Sequence, residues 1–253
     1  MPEAPILRVE SLRCVWGERT ILEDVSFDVA RGEVVVILGG SGSGKSTLLK
    51  NVIGLVRPAG GRVLIQGEDF TAAEGDARRR MLRRFGVTYQ QNALFGSMTL
   101  LENVLLPLEE FTDLPAEARE LVARLKLRLV GLEGFEGYLP AAISGGMRKR
   151  AAIARALAVD PELILYDEPT ADLDPILTQQ IGRLIARIRD VRGSTQLFVT
   201  HNLPLAQAIA DRIAVLAEGR IAEYVSAGEL GASRHPLVRE FLRATAWSPD
   251  REV

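Results

Sequence analysis

The chain has 253 residues, of which 47% are hydrophobic and 25% are charged, and its formal net charge is −2. This composition excludes a largely disordered chain, and the near-neutral charge gives no electrostatic case for binding along a nucleic-acid backbone. Cys14 is the single cysteine, which excludes an internal disulfide and a cysteine metal cluster.

The N-terminal part of the chain has the pattern of an antiparallel β-sheet. Three apolar stretches, residues 6–15, 21–29 and 62–66, are joined by short polar turns. Such spacing is typical of strands connected as hairpins. We therefore predict an N-terminal antiparallel β subdomain.

Three other short apolar runs predict buried parallel strands, because each is bounded by glycine or polar residues. They cover Val34–Leu38, residues 163–166 and residues 197–199. Apolar residues recur at helical spacing over residues 176–192, and Gly193 offers a C-terminal stop. Strands alternating with helices indicate an α/β fold.

The middle of the sequence, from about residue 100 to residue 158, is mostly helical and predicts an inserted α-helical subdomain. No Ser/Gly-rich or Pro-rich linker separates independent halves, so we expect a single domain. We assign residues 1–90 and 159–230 to its core with the antiparallel sheet, residues 91–158 to the helical subdomain and residues 231–253 to a C-terminal tail. An apolar stripe in this tail suits docking on the chain's own core or on a neighbouring subunit.

A glycine-rich segment follows the strand at Val34–Leu38 and leads into an apolar helix. The run GGSGSGKS at residues 39–46 matches G-x-x-x-x-G-K-[S/T], in the strand–loop–helix context that this motif requires. Glycines let backbone N–H groups converge on phosphate oxygens, and the helix N-terminus adds partial positive charge. Lys45 is expected to reach the terminal phosphates of a bound nucleotide and Ser46 to ligate Mg²⁺. The predicted nucleotide-binding residues here are Gly39, Gly40, Ser41, Gly42, Ser43, Gly44, Lys45, Ser46 and Thr47.

The motif alone does not separate a kinase, a GTPase and a transport ATPase. A second signal lies at the end of the apolar run of residues 163–166, where Asp167 and Glu168 are adjacent. Ligands bind at this edge of open α/β sheets. Asp167 is expected to hold Mg²⁺ through water, and Glu168 to act as the general base on the attacking water. A solvated turn with an incidental acid pair is the alternative.

A second helix N-terminus suited to an anion begins at Ser144-Gly145-Gly146. The alternative is a capping serine followed by two flexible glycines, which is common in helices that bind nothing.

Taken together, these segments with Gln90, Asp174 and His201 resemble the ATPase of an ABC transporter over nearly the whole chain. The resemblance implies a P-loop NTPase (RecA-like) core and a head-to-tail homodimer. In such a dimer, ATP held by the cradle of one copy is covered by Ser144, Gly145 and Gly146 of the other.

The resemblance also gives roles to isolated residues. Gln90 would reach Mg²⁺ or the attacking water, with Gln91 as a competing candidate, and His201 would contact the γ-phosphate and support Glu168. Trp16 occupies the place of an aromatic that stacks on adenine, although it is also compatible with a core position. Asp174 belongs to a segment that resembles the loop crossing the dimer interface in this family.

Met147 after the glycines, where Gln is common, and residues 93–95 after Gln90 look most like the Mla/Mce branch of this family. That branch serves phospholipid or other lipid transport. It implies an integral membrane permease of the MlaE type, a periplasmic Mce-type substrate-binding protein and a small accessory subunit. The longest apolar run is too short to cross a bilayer, so membrane work would require another chain. The location that the resemblance implies is the cytoplasmic face of the inner membrane.

Three other functions compete with lipid transport. An ABC ATPase for amino acids or other small solutes would carry most of the same motifs. A DNA-repair or translation ATPase with the same cassette is disfavoured by the lack of a coiled-coil insertion, a second cassette and a basic excess. A regulatory binder without turnover is disfavoured by the presence of both Glu168 and His201.

Overall fold

The computed structural model describes residues 4–245. The N-terminal part of the chain forms an antiparallel sheet. Along the first strand, Leu7, Val9, Leu12 and Cys14 are buried while most of the intervening residues face outward. The sheet has four strands in the order β2-β1-β4-β5. They are β1 (Leu7–Trp16), β2 (Arg19–Val29), β4 (Gly60–Ile65) and β5 (Glu68–Asp69). The predicted antiparallel subdomain is confirmed.

The described residues divide into two compact units, and the first contains residues 4–73 and 197–245. Besides the antiparallel sheet, it contains β3 (Val34–Leu38), α1 (Lys45–Val52), α7 (Leu203–Ile209), β9 (Arg212–Ala217), β10 (Arg220–Ser226), a 3-10 turn (Leu230–Ala232) and α8 (Pro236–Thr245). Strand β3 is buried throughout and pairs in parallel with β9, and β10 pairs with β9 in the antiparallel direction.

The second unit is Glu74–Gln196. Its strands β6 and β7 are parallel neighbours, with Gly86 opposite Ile164 and Thr88 opposite Tyr166. Its elements are α2 (Gly75–Leu82), β6 (Phe85–Thr88), α3 (Leu100–Phe111), α4 (Ala116–Leu129), a 3-10 turn (Pro140–Ala142), α5 (Gly145–Ala156), β7 (Leu163–Asp167) and α6 (Pro175–Arg192). Strand β8 (Thr195–Thr200) begins at the end of this unit and ends in the first.

Two helix ends in the second unit follow from local sequence. Thr99 caps α3 through a reciprocal capping box with Glu102. Helix α6 ends at Gly193, whose φ of 61° lies in the left-handed region, as the sequence predicted. Helices α3, α4 and α5 pack on one another. The fold is therefore α/β with parallel and antiparallel strands and an inserted helical segment, which confirms the predicted class.

Among residues 4–245, none of the helices combines the length and the apolar character that crossing a membrane requires.

Candidate functional site

The glycines of the loop between β3 and α1 adopt conformations that other residues avoid. Gly42 has a φ of 78° and Gly44 a φ of 103°, both in the left-handed region. A Cβ on Gly44 would lie 2.8 Å from Leu22 Cδ2, and a Cβ on Gly39 would lie 2.4 Å from a backbone carbonyl oxygen. These positions therefore require glycine, and the loop turns tightly before the N-terminus of α1.

Lys45, the first residue of α1, is held against this loop. It is only 7% exposed, and its Nζ donates hydrogen bonds of 2.9 Å to the carbonyl oxygens of Gly39 and Gly40. A Cβ on Gly40 or Gly42 would meet no atom within 4 Å, so the loop is open where these residues lie. The loop, the helix N-terminus and Lys45 together form a cradle suited to a polyphosphate.

A cleft of about 490 Å³ lies against this loop in the first unit. Its walls combine residues 39–43 with residues 215–218 at the end of β9 and with Leu237 and Phe241 of α8. The C-terminal helix therefore shares a cleft with the phosphate loop, an arrangement that the sequence did not predict.

Trp16, predicted to stack on adenine, is the last residue of β1 and is 75% exposed. This exposure shows that the alternative of a core aromatic was wrong. In the register of β1 and β2, Trp16 pairs with Arg19, which lines the cleft. The indole is therefore accessible to a flat ring that approaches from solvent.

Asp167 and Glu168 lie at the carboxyl end of β7 in the second unit, and both are buried. Glu168 has a φ of 44°, so the chain leaves the strand direction at this residue. Its carbonyl oxygen accepts a 3.1 Å hydrogen bond from Ala171 N, which closes a turn immediately after the strand. The two carboxylates therefore lie at the strand edge where the sequence placed them.

Two predicted residues cap neighbouring helices of the second unit. Ser144 Oγ accepts a hydrogen bond of 3.3 Å from a backbone N–H of α5. The Asp174 carboxylate accepts bonds of 2.8 and 2.9 Å from two backbone N–H groups of α6. A Cβ on Gly146 would lie 3.4 Å from Leu177 Cδ2, so α5 and α6 meet near these two ends. The capping role of Ser144 is confirmed, and the residue remains exposed.

Gln90 lies in an exposed position after β6. A side chain of α5 binds its main-chain carbonyl group. Lys149 Nζ donates a 2.5 Å hydrogen bond to the Gln90 carbonyl oxygen. Burial lowers the pKa of Lys149, and three carboxylates oppose this shift. They are Asp172, Asp167 and Glu168. Lys149 of α5 therefore lies between the loop of Gln90 and the two acids predicted as metal ligand and general base, Asp167 and Glu168.

Sequence reasoning missed the role of Lys149. A signal was present, because Lys149 is spaced three residues after Gly146 and four before Ile153, on the buried face of α5. A cation on an apolar helix face is a candidate for a specific buried contact.

His201 is exposed and follows β8 directly. Asn202 caps α7 by accepting a 2.9 Å hydrogen bond from Leu205 N, which fixes the backbone beside His201. The predicted site residues are divided between the units. The first unit carries Trp16, residues 39–47 and His201, and the second carries Gln90, residues 144–146, Asp167, Glu168 and Asp174.

Comparison with known proteins matches residues 22–171 to the family described as ABC transporter. The chain is 42% identical over 250 residues to the probable ribonucleotide transport ATP-binding protein mkl of Mycobacterium leprae, covering 98% of this chain and 72% of that protein. It is 38% identical over 233 residues to the intermembrane phospholipid transport system ATP-binding protein MlaF of Escherichia coli, covering 92% of this chain and 87% of that protein.

The methionine import ATP-binding protein MetN of Brucella abortus is 42% identical over 220 residues, covering 87% of this chain and 59% of that protein. Among solved structures, a dimeric ATP-binding cassette in a post-hydrolysis state with ADP and Pi superimposes with a TM-score of 0.80 at 33% identity. The match covers 87% of this chain and 98% of that one.

Proposed function

The chain belongs to the ABC transporter family, and we propose that its ATP hydrolysis drives a separate membrane permease that moves phospholipids or related lipids across the cell envelope. As a member of this family it is an ATPase and the ATP-binding subunit of a transporter. The observation that carries the lipid assignment is the 38% identity to MlaF, which extends over 87% of that protein.

The phosphate loop fits the nucleotide. Gly42 and Gly44 have left-handed backbone conformations that glycine adopts without strain. Lys45 already donates two hydrogen bonds to loop carbonyls and can exchange them for phosphate oxygens. Trp16 is exposed and available to stack on the purine. In the proposed complex, residues 39–47 bind the phosphates and Trp16 binds the base.

The residues proposed to hold Mg²⁺ fit that ion, because it prefers oxygen ligands. They are the hydroxyl of Ser46, the side-chain carbonyl of Gln90 and, through water, the carboxylate of Asp167. Bound Mg²⁺ would neutralise charge on the β- and γ-phosphates. In the proposed mechanism Glu168 would accept a proton from the attacking water, and the family resemblance assigns to His201 contact with the γ-phosphate and support of Glu168.

Two copies are proposed to close around two nucleotides. Ser144, Gly145 and Gly146 of one copy cover the phosphates in the other, and Asp174 lies at the seam. Ser144, which caps the N-terminus of α5, is exposed, and this supports the role because a helix N-terminus attracts an anion. The similar cassette bound to ADP and Pi is itself dimeric.

The proposed partners are an MlaE-like integral membrane permease, a periplasmic Mce-type protein and a small accessory subunit, with the ATPase bound peripherally at the cytoplasmic face of the inner membrane. The test is to purify the tagged chain from membranes with its partners and reconstitute the complex in vesicles containing a fluorescent phospholipid. ATP-dependent transfer of the lipid to acceptor vesicles is expected, and Glu168→Gln should abolish it.

A second candidate is import of an amino acid or another small solute, which the 42% identity to MetN favours. The same vesicles should then carry out ATP-dependent uptake of labelled methionine and transfer no lipid. This outcome would replace the lipid assignment and leave the ATPase assignment intact.

A further inference from the structure

Two cations of α5 bind the main chain of one loop. Lys149 Nζ donates to the Gln90 carbonyl oxygen at 2.5 Å. Six residues further along, Arg155 donates from one guanidinium nitrogen to Ala93 O at 2.7 Å and from the other to Asn92 O at 3.1 Å. Three carbonyl groups within residues 90–93 are therefore held by a single helix.

This loop has a backbone that needs support. Asn92 has a φ of 64° and Ala93 a φ of 48°, and this left-handed region is unfavourable for residues other than glycine. Conformations of this kind persist when surrounding contacts specify them. A turn bond from Asn92 N to Tyr89 O closes the loop, and the Asn103 side chain holds Phe95 just beyond it. The hydrogen bonds from α5 are the contacts that hold the carbonyl groups of residues 90–93.

Lys149 is only 6% exposed, although lysine is rarely buried to this extent. Lys149 is one of the buried residues of α5, and its ammonium group donates to the Gln90 carbonyl oxygen. A buried cation needs a hydrogen-bonding partner, since desolvation is otherwise costly. If the loop moved away from α5, Lys149 would lose its charge-assisted hydrogen bond to Gln90. This bond therefore fixes the distance between the helix and the loop.

The C-terminal end of α5 is also held closely, by strand β6. At Gly86 in β6, a Cβ would lie 2.0 Å from the Ala156 carbonyl oxygen at the last turn of α5. Helix and strand therefore touch backbone to backbone just before the loop begins. At Lys149, Arg155 and Ala156, α5 is therefore attached to the chain that leads into and through residues 90–93.

We infer that Lys149 and Arg155 are positioning residues that fasten the loop of Gln90 to the helix of Ser144, so that both segments move as one body. Any displacement of the loop is then transmitted to the end of α5 that covers the second nucleotide. This inference rests on the proposed function only for the roles of Gln90 and Ser144. The attachment itself is a property of the second unit.

The first test needs neither nucleotide nor activity. Amide hydrogen exchange of residues 91–95 is measured in the full chain for wild type, Lys149→Met and Lys149→Arg. Methionine keeps the length and apolar character of the side chain without its charge, so exchange should accelerate about tenfold, as expected when a charge-assisted hydrogen bond is lost. Arginine keeps the donor and should restore most of the protection.

The matched control is Arg150→Met. Arg150 is the next residue of α5 and also binds backbone carbonyls, at Val130 (3.5 Å) and Gly131 (3.3 Å), rather than residues 90–93. It should leave exchange of residues 91–95 within about twofold of wild type. Equal acceleration in Lys149→Met and Arg150→Met, or none in Lys149→Met, would overturn the inference.

Arg155→Lys provides a second variant if Lys149→Met does not fold. Lysine keeps the charge but cannot bridge two carbonyls in the forked geometry of a guanidinium group. Exchange of residues 92–95 should accelerate while α5 itself stays protected. If Arg155→Lys left the exchange of residues 92–95 unchanged, the inference would be contradicted.

Steady-state ATPase kinetics then connect attachment to function. In Lys149→Met, kcat should fall about tenfold while KM for ATP changes less than twofold, because the phosphate loop is untouched and only the alignment of Gln90 is lost. Lys149→Arg should recover kcat. If wild type itself fails to hydrolyse ATP, the proposed function fails, whereas the exchange result still decides the attachment.

Discussion

Glu168 directly follows Asp167 at the end of β7, yet its φ of 44° takes it out of the strand that Asp167 completes. The two adjacent acidic residues therefore have different backbone conformations. Asp167 keeps the direction of a strand end, and Glu168 is turned into the loop that leads to α6. This separation suits two roles, metal binding through water for Asp167 and proton acceptance for Glu168.

Glu168→Gln should bind ATP and almost stop hydrolysing it. Glutamine keeps the shape of the side chain and its backbone position but cannot take a proton, so kcat should fall about 100-fold or more. The nucleotide affinity should stay near wild type, and a closed dimer should accumulate in ATP. Phosphate release, isothermal titration and gel filtration measure the three effects, and wild-type turnover would exclude Glu168 as the base.

Lys45→Ala should weaken ATP binding rather than turnover alone. Loss of a charge-assisted contact costs about 1.5–3 kcal/mol, or about 10- to 100-fold in Kd. Lys50→Ala is the matched control, because Lys50 lies on the same helix and is exposed. Calorimetry should separate the two variants, and equal affinities would remove Lys45 from the cradle.

Much of this arrangement was readable from the sequence because short-range patterns determine it. The loop at residues 39–46, the strand ending at Asp167 and the caps at Ser144 and Asp174 each depend on residues within a few positions of one another. The bond from Lys149 to Gln90 joins residues 59 apart in sequence. No local pattern specifies such a partner. The same limit applies to α8, whose apolar stripe was visible but whose place beside the phosphate loop was not.

Gly86→Ala should destabilise the chain through one backbone contact. The new Cβ would lie 2.0 Å from Ala156 O, so β6 and α5 must separate. Overpacking of this kind costs about 1–3 kcal/mol, which lowers Tm by about 2–12 °C in a protein of this size. Gly137→Ala is the control, since a Cβ there meets nothing within 4 Å. Identical melting curves would show that α5 is not tightly held at β6.

Glu102 should contribute to stability in a pH-dependent way. Its carboxylate accepts hydrogen bonds from Thr99 N at 2.6 Å and Thr99 Oγ1 at 2.8 Å, and these bonds hold the pKa of Glu102 below its ordinary value. A depressed folded-state pKa means that the stabilisation is complete above the unfolded pKa and is lost as the pH falls through the folded pKa. The loss should therefore begin below about pH 4.

The measurement is urea unfolding of wild type and Glu102→Ala at a series of pH values. The wild-type advantage in midpoint should be constant at neutral pH and should shrink as the solution becomes acidic, because protonation removes the acceptor from the capping box. Glu109→Ala, an exposed change on the same helix, should show no such convergence. A wild-type advantage that persists unchanged into acid would mean that the stabilising bonds do not require the carboxylate charge.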